Sequence, residues 1–339
     1  MNLNILLPVL LFFITLLLIL VVINNSFFKK KLLVRDEFVL KNANLKQEDV
    51  ITGIGVVFLV PFLISNIIFL YGNVEFPNKY IFFIISLTIL TLLSFKDDVR
   101  SIDAKLRLIV HLICIYITIA TLQINLIPLP LKVSILLTVL IWVYLMNITN
   151  FIDGSDGICA ISVIFFYIGI LFLSFKGYPL FSYYLALIIL PILTAFLIFN
   201  LPNAKIFMGD SGSIFLGFLI GFSFLEVAIL INPIYPVILF LYPILDCSIT
   251  IIKKTFRGYM PWDRLGDYYF LLPKKRVKYE NRKKISLFIL KYLFIFKSLN
   301  LFFFYIFLEI NNYYMLIINF FLGFLLISIF RLRRLNPKF

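Results

Sequence analysis

Eleven apolar runs, each close to the length of a membrane crossing, divide this chain of 339 residues. A hydrocarbon core of ~30 Å takes about 20 helical residues. Runs of that order lie near residues 3–23, 50–71, 79–95, 108–125, 130–147, 158–174, 179–199, 213–231, 233–253, 287–308 and 313–330. They predict an all-α polytopic membrane protein with about 11 transmembrane helices, built as a single integral membrane domain over residues 1–339. The tenth run is interrupted by Lys291 and Lys297. These could snorkel to the interface, or residues 286–296 could lie along the membrane surface. The first run, Leu3 to Ile23, lacks a basic n-region and a small-residue cleavage site, so it is expected to remain as a span.

The charges orient these spans. Hydrophobic residues make up 62% of the chain and only 14% are charged, yet the net charge is +14. In a soluble protein that excess would point to nucleic acid. Here 26 of the 31 Lys and Arg fall in residues 24–49, 96–107, 148–157, 200–212, 253–286 and the tail from Arg331, while the alternate loops hold only Lys79, Lys132 and Lys176. The positive-inside rule then predicts the N-terminus outside and the C-terminus in the cytoplasm. The partners expected are membrane lipids, not nucleic acid. Fourteen of the 17 acids share the cytoplasmic side, with only Glu75, Glu226 and Glu309 opposite. A plain anchor has no use for acids where bases already crowd, whereas metal–phosphate chemistry does. Cys114, Cys159 and Cys247 sit in or beside apolar runs and are expected to be free thiols.

Four cytoplasmic segments, about residues 96–107, 147–158, 200–213 and 253–286, carry the candidate chemistry. The first opens with Asp97-Asp98 and continues to Arg107. Adjacent carboxylates repel, and a hard divalent ion with oxygen ligands relieves that conflict. Mg²⁺ commonly takes one or two carboxylates together with substrate phosphates. In the second, Asn147, Asn150 and Asp153 recur every three residues near one face of a helix end, and two Asp-Gly pairs, at Asp153 and Asp156, open a tight turn. The third runs from Asn200 through Lys205 to Gly209-Asp210-Ser211-Gly212-Ser213. It places an acid and free backbone N–H groups at a helix start, which suits phosphate or metal–phosphate. The fourth holds Arg257, Asp263 and Arg264, with Asp246 shortly before it and Lys253 or Arg257 as that acid's expected partners. The cluster Lys274-Lys275-Arg276 reads as positive-inside bias toward anionic lipid. His111 is the only histidine, so a histidine metal cluster or a Ser/His/Asp triad has little material, and a packing or hydrogen-bonding role is expected for it ahead of catalysis.

In order and membrane placement these motifs resemble the polyprenyl-phosphate N-acetylhexosamine-1-phosphate transferases, glycosyltransferase family 4, and the span count is similar to the WecA-like branch. The resemblance runs from about residue 50 to 270 and includes Gly53-Ile54-Gly55. It implies transfer of a sugar-1-phosphate from a UDP-N-acetylhexosamine or related UDP-sugar to polyprenyl phosphate, with release of UMP, at the start of a cell-envelope glycan. It further implies a multi-pass protein of the inner, cytoplasmic membrane with its site facing the cytoplasm, Mg²⁺ as cofactor with Mn²⁺ as the alternative ion, and a homodimer as one assembly to test. By matching positions, Asp210 is the foremost metal ligand, with Asp98 as a second. Asp97 or Asp98 would assist the lipid phosphate, and Asp153 and Asp156 would act in catalysis. Arg107, Asn147, Asn150, Asn200, Lys205, Gly209, Arg257, Asp263 and Arg264 would hold substrate.

One departure stands out. The stretch Asp263-Arg264-Leu265-Gly266-Asp267-Tyr268-Tyr269 has no histidine where many members carry one. This makes the phospho-MurNAc-pentapeptide transferase the alternative and a sugar-only donor the first expectation. A secondary transporter, the rival from another class, would place its acids near the midplane. A CDP-alcohol phosphotransferase would need Asp-Gly-x-x-Ala-Arg, and Ser155-Asp156 after Asp153-Gly154 does not supply it.

Overall fold

The computed structural model describes residues 3–25, 32, 50–72, 74, 76–77, 79–124, 130–202, 204–260, 266–274 and 281–335. The helices are α1 (Leu3–Asn24), α2 (Leu59–Tyr71, entered through a 3₁₀ turn at Ile54–Phe58), α3 (Tyr80–Val99), α4 (Ala104–Leu122), α5 (Leu131–Ile152) and α6 (Ile158–Phe175). They continue with α7 (Ser182–Asn200), α8 (Gly209–Leu230), α9 (Ile234–Leu239), α10 (Leu241–Phe256), α11 (Arg282–Ile310) and α12 (Tyr314–Leu335), with a second 3₁₀ turn at Tyr269–Lys274. Among the described residues there is no strand, only an isolated parallel bridge between Ile51 and Ile206. Ten helices of this set are long and apolar enough to cross a bilayer.

The ninth predicted span, 233–253, is not one helix. It is α9 and α10, meeting at Phe240 with φ −106 and ψ 22. Pro243 accounts for the break. In an uninterrupted helix its ring would strike the carbonyl of Leu239, and it has no N–H to donate there. With the break, Pro243 falls in the first turn of α10, where the missing donor costs little. The tenth predicted span is a continuous α11, so residues 286–296 form no separate surface segment. Lys291 is exposed, but Lys297 does not snorkel: it is 1% exposed, with its ammonium 5.9 Å from the centre of the Phe240 ring. The polar motifs also lie further inside helices than the apolar runs suggest. Helix α3 carries on to Val99, α5 to Ile152, and α8 already begins at Gly209.

Helix α8 is the hub. In its most apolar stretch 78% of residues are buried, against 22% for the peripheral α1, and it packs chiefly on α5 and α3. Glycine allows that approach: a Cβ on Gly217 would come within 2.8 Å of the Met146 Cα, and one on Gly221 within 2.2 Å of the Trp142 ring. Small residues at helix contacts are how membrane helices pack without a hydrophobic driving force between them. Trp142 also donates its indole N–H to the Phe218 carbonyl at 3.0 Å. At the far end of α8, Glu226 accepts the N–H groups of Phe181 (2.6 Å) and Ser182 (2.9 Å), together with the Ser182 hydroxyl, and so caps the start of α7.

The near end of α8 is set by an extended segment running beside it. The Ile51 N–H donates to Lys205 O, Phe207 N–H to Ile51 O, and Gly55 N–H to Met208 O at 2.8 Å. Gly55 lies so close to α8 that a Cβ would fall 2.0 Å from the Gly212 Cα. Backbone cannot swing aside as a side chain can, so Gly55→Ala is expected to cost at least the roughly 1–3 kcal/mol typical of overpacking. Thermal unfolding in detergent should show a lowered midpoint, and an unchanged midpoint would mean that the two segments do not meet this closely.

Candidate active site

Four helix ends bring the polar residues together: the last turn of α3, the first of α4, the last of α5 and the first of α8. Arg107, on α4, is the link. Its Nη1 donates to Asp97 Oδ2 and, at 2.8 Å, to Asp210 Oδ2. Asn150, in the last turn of α5, donates Nδ2 to Asp210 Oδ1 and to Ser213 Oγ, both at 3.0 Å. Asp97 also accepts the Ile102 N–H at 2.6 Å, which ties it to the turn between α3 and α4. The Asp97 side chain is 12% exposed, that of Arg107 23% and that of Asp210 30%, so a ligand can reach Asp210.

Asp98 does a different job from its neighbour. Consecutive residues on a helix point about 100° apart, and Asp98 faces the start of α8. Its two oxygens accept the N–H groups of Asp210 (2.8 Å) and Ser211 (3.0 Å). The free N–H groups expected at Gly209–Ser213 are therefore already occupied, by an acid from another helix. Room for that acid depends on Gly209, at φ 71, where a Cβ would lie 2.7 Å from both Asp98 carboxylate oxygens. Gly53, at φ 76, passes on the other side, with a Cβ position 3.3 Å from the Asp98 Cβ.

The remaining predicted residues divide sharply. Asp153, just past α5, is partly buried; burial, followed by the charges of Asp210 and Asp98, raises its carboxyl well above the usual range. Asp156 turns away. It accepts the Ser286 hydroxyl at 3.1 Å and lies 4.0 Å from Lys274 Nζ, with both charged side chains almost wholly buried. Lys274 thus sits inside the protein and not among solvated lipid-facing charges. Asn200 joins two loops, accepting the Gly157 N–H at 2.6 Å and donating to Ile206 O at 2.8 Å. Lys205 is exposed, and Asn147 takes no part in the bonds around Asp210. Arg257 pairs at 3.3 Å with Asp267. Asp263 and Arg264 lie outside the described residues. Asp246 takes neither Lys253 nor Arg257 as partner; it accepts the N–H groups of Tyr269 (2.8 Å) and Phe270 (3.1 Å) and the Tyr242 hydroxyl (2.7 Å). Sequence reasoning missed these tethers because their donors are main-chain groups and residues far along the chain. Only the Asp97-Asp98 adjacency, read on a helix, could have separated the two roles.

The donor chemistry of this corner suits a hard divalent cation. Asp97, Asp98 and Asp153 each lie within the influence of the Asp210 charge, and the guanidinium of Arg107 pairs with Asp97 and Asp210. Among the described residues no three His, Cys, Asp or Glu make a ready cage. Any cation held here would have to complete its coordination with water or substrate oxygens, as Mg²⁺ commonly does.

Residues 80–228, which span every side chain of this cluster, match the family model described as glycosyl transferase family 4. A probable undecaprenyl-phosphate N-acetylglucosaminyl 1-phosphate transferase of Bacillus subtilis is 30% identical over 179 residues, 49% of this chain and 50% of that protein. A decaprenyl-phosphate N-acetylglucosaminephosphotransferase of Mycolicibacterium smegmatis is 33% identical over 153 residues, 38% of this chain and 37% of that protein. A phospho-N-acetylmuramoyl-pentapeptide-transferase of Leuconostoc mesenteroides is 27% identical over 173 residues, 44% and 54% of the two chains. The chain thus spans about half or less of the length of these curated relatives.

Two outcomes test this geometry. Asp98→Ala leaves two helix-start N–H groups without their acceptor and should lower stability by about 1–2 kcal/mol, the upper range for a lost cap; Asp210→Asn, at a more open position, should unfold near the wild-type midpoint. Equal midpoints for Asp98→Ala and wild type would remove the capping role. The second concerns pH. A carboxyl that binds its proton more tightly folded than unfolded contributes stability below the ordinary carboxylate range and loses it as pH rises. In EDTA, the wild-type midpoint should therefore fall relative to Asp153→Asn as pH rises above the ordinary carboxylate range, from about pH 4 upward; parallel pH profiles would contradict the raised Asp153 carboxyl.

Proposed function

We propose that this chain, whose residues 80–228 match the glycosyl transferase family 4 model, is a member of that family and transfers N-acetylhexosamine-1-phosphate from a UDP-sugar to polyprenyl phosphate. An oxygen of the lipid phosphate attacks the sugar-bearing β-phosphorus. The bond from that phosphorus to the bridging oxygen breaks, UMP leaves, and lipid-diphosphate-sugar remains. The observation that carries this reading is the convergence of Asp97, Arg107, Asn150 and Asp210 at four helix ends. Catalysis of phosphoryl transfer is largely positioning and charge stabilisation, and these groups are suited to both. Asp97 shares the Arg107 guanidinium with Asp210 and is the better candidate to assist the acceptor phosphate, whereas Asp98 holds the start of α8. Arg107 offers further N–H donors to phosphate oxygens. Asn150 holds the Asp210 carboxylate in place. Asp210 would bind Mg²⁺ or Mn²⁺, which when present neutralises charge on the diphosphate and leaving group.

The same geometry supports eleven crossings with the N-terminus outside. Helix α8 starts at the site and ends where Glu226 caps α7 on the opposite face. Helix α11 starts back on the site side, where Ser286 reaches Asp156. One crossing must lie between them, and α9 with α10 supplies it as a broken span. The distribution of basic residues favours a cytoplasmic site, where nucleotide sugars are found, and an inner-membrane location accords with that reading. The relatives named for N-acetylglucosamine favour that sugar as donor. The pentapeptide-transferase relatives keep UDP-MurNAc-pentapeptide as the second donor to test, and a homodimer is the assembly to look for.

In detergent with labelled UDP-N-acetylglucosamine and polyprenyl phosphate, lipid-linked sugar should form only with divalent cation. Asp210→Asn should lower the rate at least about 100-fold, the scale seen on removing one preorganised charge-stabilising group, while inserting normally. Well-folded protein that forms no lipid-linked product with either donor would end this reading.

A further inference from the structure

We propose that His111 hydrogen-bonds the phosphate of the lipid acceptor, and that it governs affinity for that substrate and not for the nucleotide donor. The inference rests on the activity proposed above. Helix α4 starts beside the site at Ala104 and runs into the bilayer. Arg107 and His111 are four residues apart, so they share one face of α4, with His111 about 6 Å deeper. The imidazole is 9% exposed, and its Nε2 has no hydrogen-bond partner among the described residues. Arg107 and Asp210 are the charges that act on it, so it belongs to the same corner. Cys114 and Ile115, one turn further along α4, are buried and offer it an apolar surround.

More than nine in ten buried polar groups in native proteins are paired. An imidazole nitrogen buried next to an ionic cluster without a partner is therefore waiting for one. The two proposed substrates reach the cluster from different media. A nucleotide sugar is polar throughout and enters from water. The lipid phosphate is held by an apolar tail in the bilayer, so its oxygens approach from the side and depth at which His111 stands. An imidazole N–H at Nε2 can donate to such an oxygen. The predicted packing role of His111 does not account for the open nitrogen.

The test uses the intact protein in detergent. His111→Ala should raise KM for polyprenyl phosphate about 10- to 100-fold, the worth of a hydrogen bond to a charged group, with kcat and donor KM within about twofold. His111→Gln, which restores a donor, should recover most of the loss. The chain has a single histidine, so ¹⁵N-labelled imidazole is a single reporter in the wild-type protein. Its resonance should shift with polyprenyl phosphate and stay in place with UMP. A resonance that moves with UMP but not with the lipid, or with neither, would overturn the proposal even if the alanine variant failed to fold. So would an acceptor KM left unchanged in His111→Ala. If wild-type protein formed no lipid-linked sugar at all, the failure would lie with the proposed activity; normal turnover with a silent His111 would defeat this inference alone.

Discussion

The bond on which the rest of the molecule depends runs from the Asp98 carboxylate to the first N–H groups of α8. A helix start carries unpaired donors and a partial positive charge, and an acid placed there satisfies both. Burying a carboxylate is costly unless it is fully hydrogen-bonded, and here each oxygen has a backbone N–H. The arrangement tells α8 where to begin relative to α3. Because α8 is the most buried helix, its start sets the height of Asp210, and Asp210 in turn gives Arg107 and Asn150 their common target. The glycines at 53 and 209 keep space for the carboxylate.

The protein repeats the device elsewhere. Glu226 caps α7 on the opposite face, and Asp246 caps the 3₁₀ turn at Tyr269–Lys274. In a bilayer an unpaired backbone group has no water to turn to. An acid reaching from a neighbouring helix both satisfies it and locks two elements together. The acids therefore serve two populations of purpose. Asp98, Asp156, Asp246 and Glu226 are spent on holding segments in place, whereas Asp97 and Asp210 are partly exposed and share one guanidinium.

Much of this was legible in the sequence and some was not. The apolar runs located the helices, because a span needs a length of hydrophobic residues that little else supplies. The motifs marked residues that converge, since Asp97, Arg107, Asn150 and Asp210 do meet. The break at Phe240 was missed because Ile234 to Ile252 is apolar enough to pass as one span, and hydropathy is blind to Pro243. The sorting of acids was missed for a related reason. Asp97 and Asp98 look equivalent in a string of letters and differ only by their direction on the helix. Asp156 and Asn200 carry the composition of a ligand site, yet their partners are Ser286, Lys274 and main-chain groups that no local pattern names.

That sorting bears on where such a protein can change. The 3₁₀ turn is attached through main-chain N–H groups to Asp246, through Lys274 to Asp156, and through the Phe270 ring, which lies near Gly154. In the cluster of Asp97, Arg107, Asn150 and Asp210 each member is bonded to another member, so the corner and the 3₁₀ turn are held by separate sets of contacts.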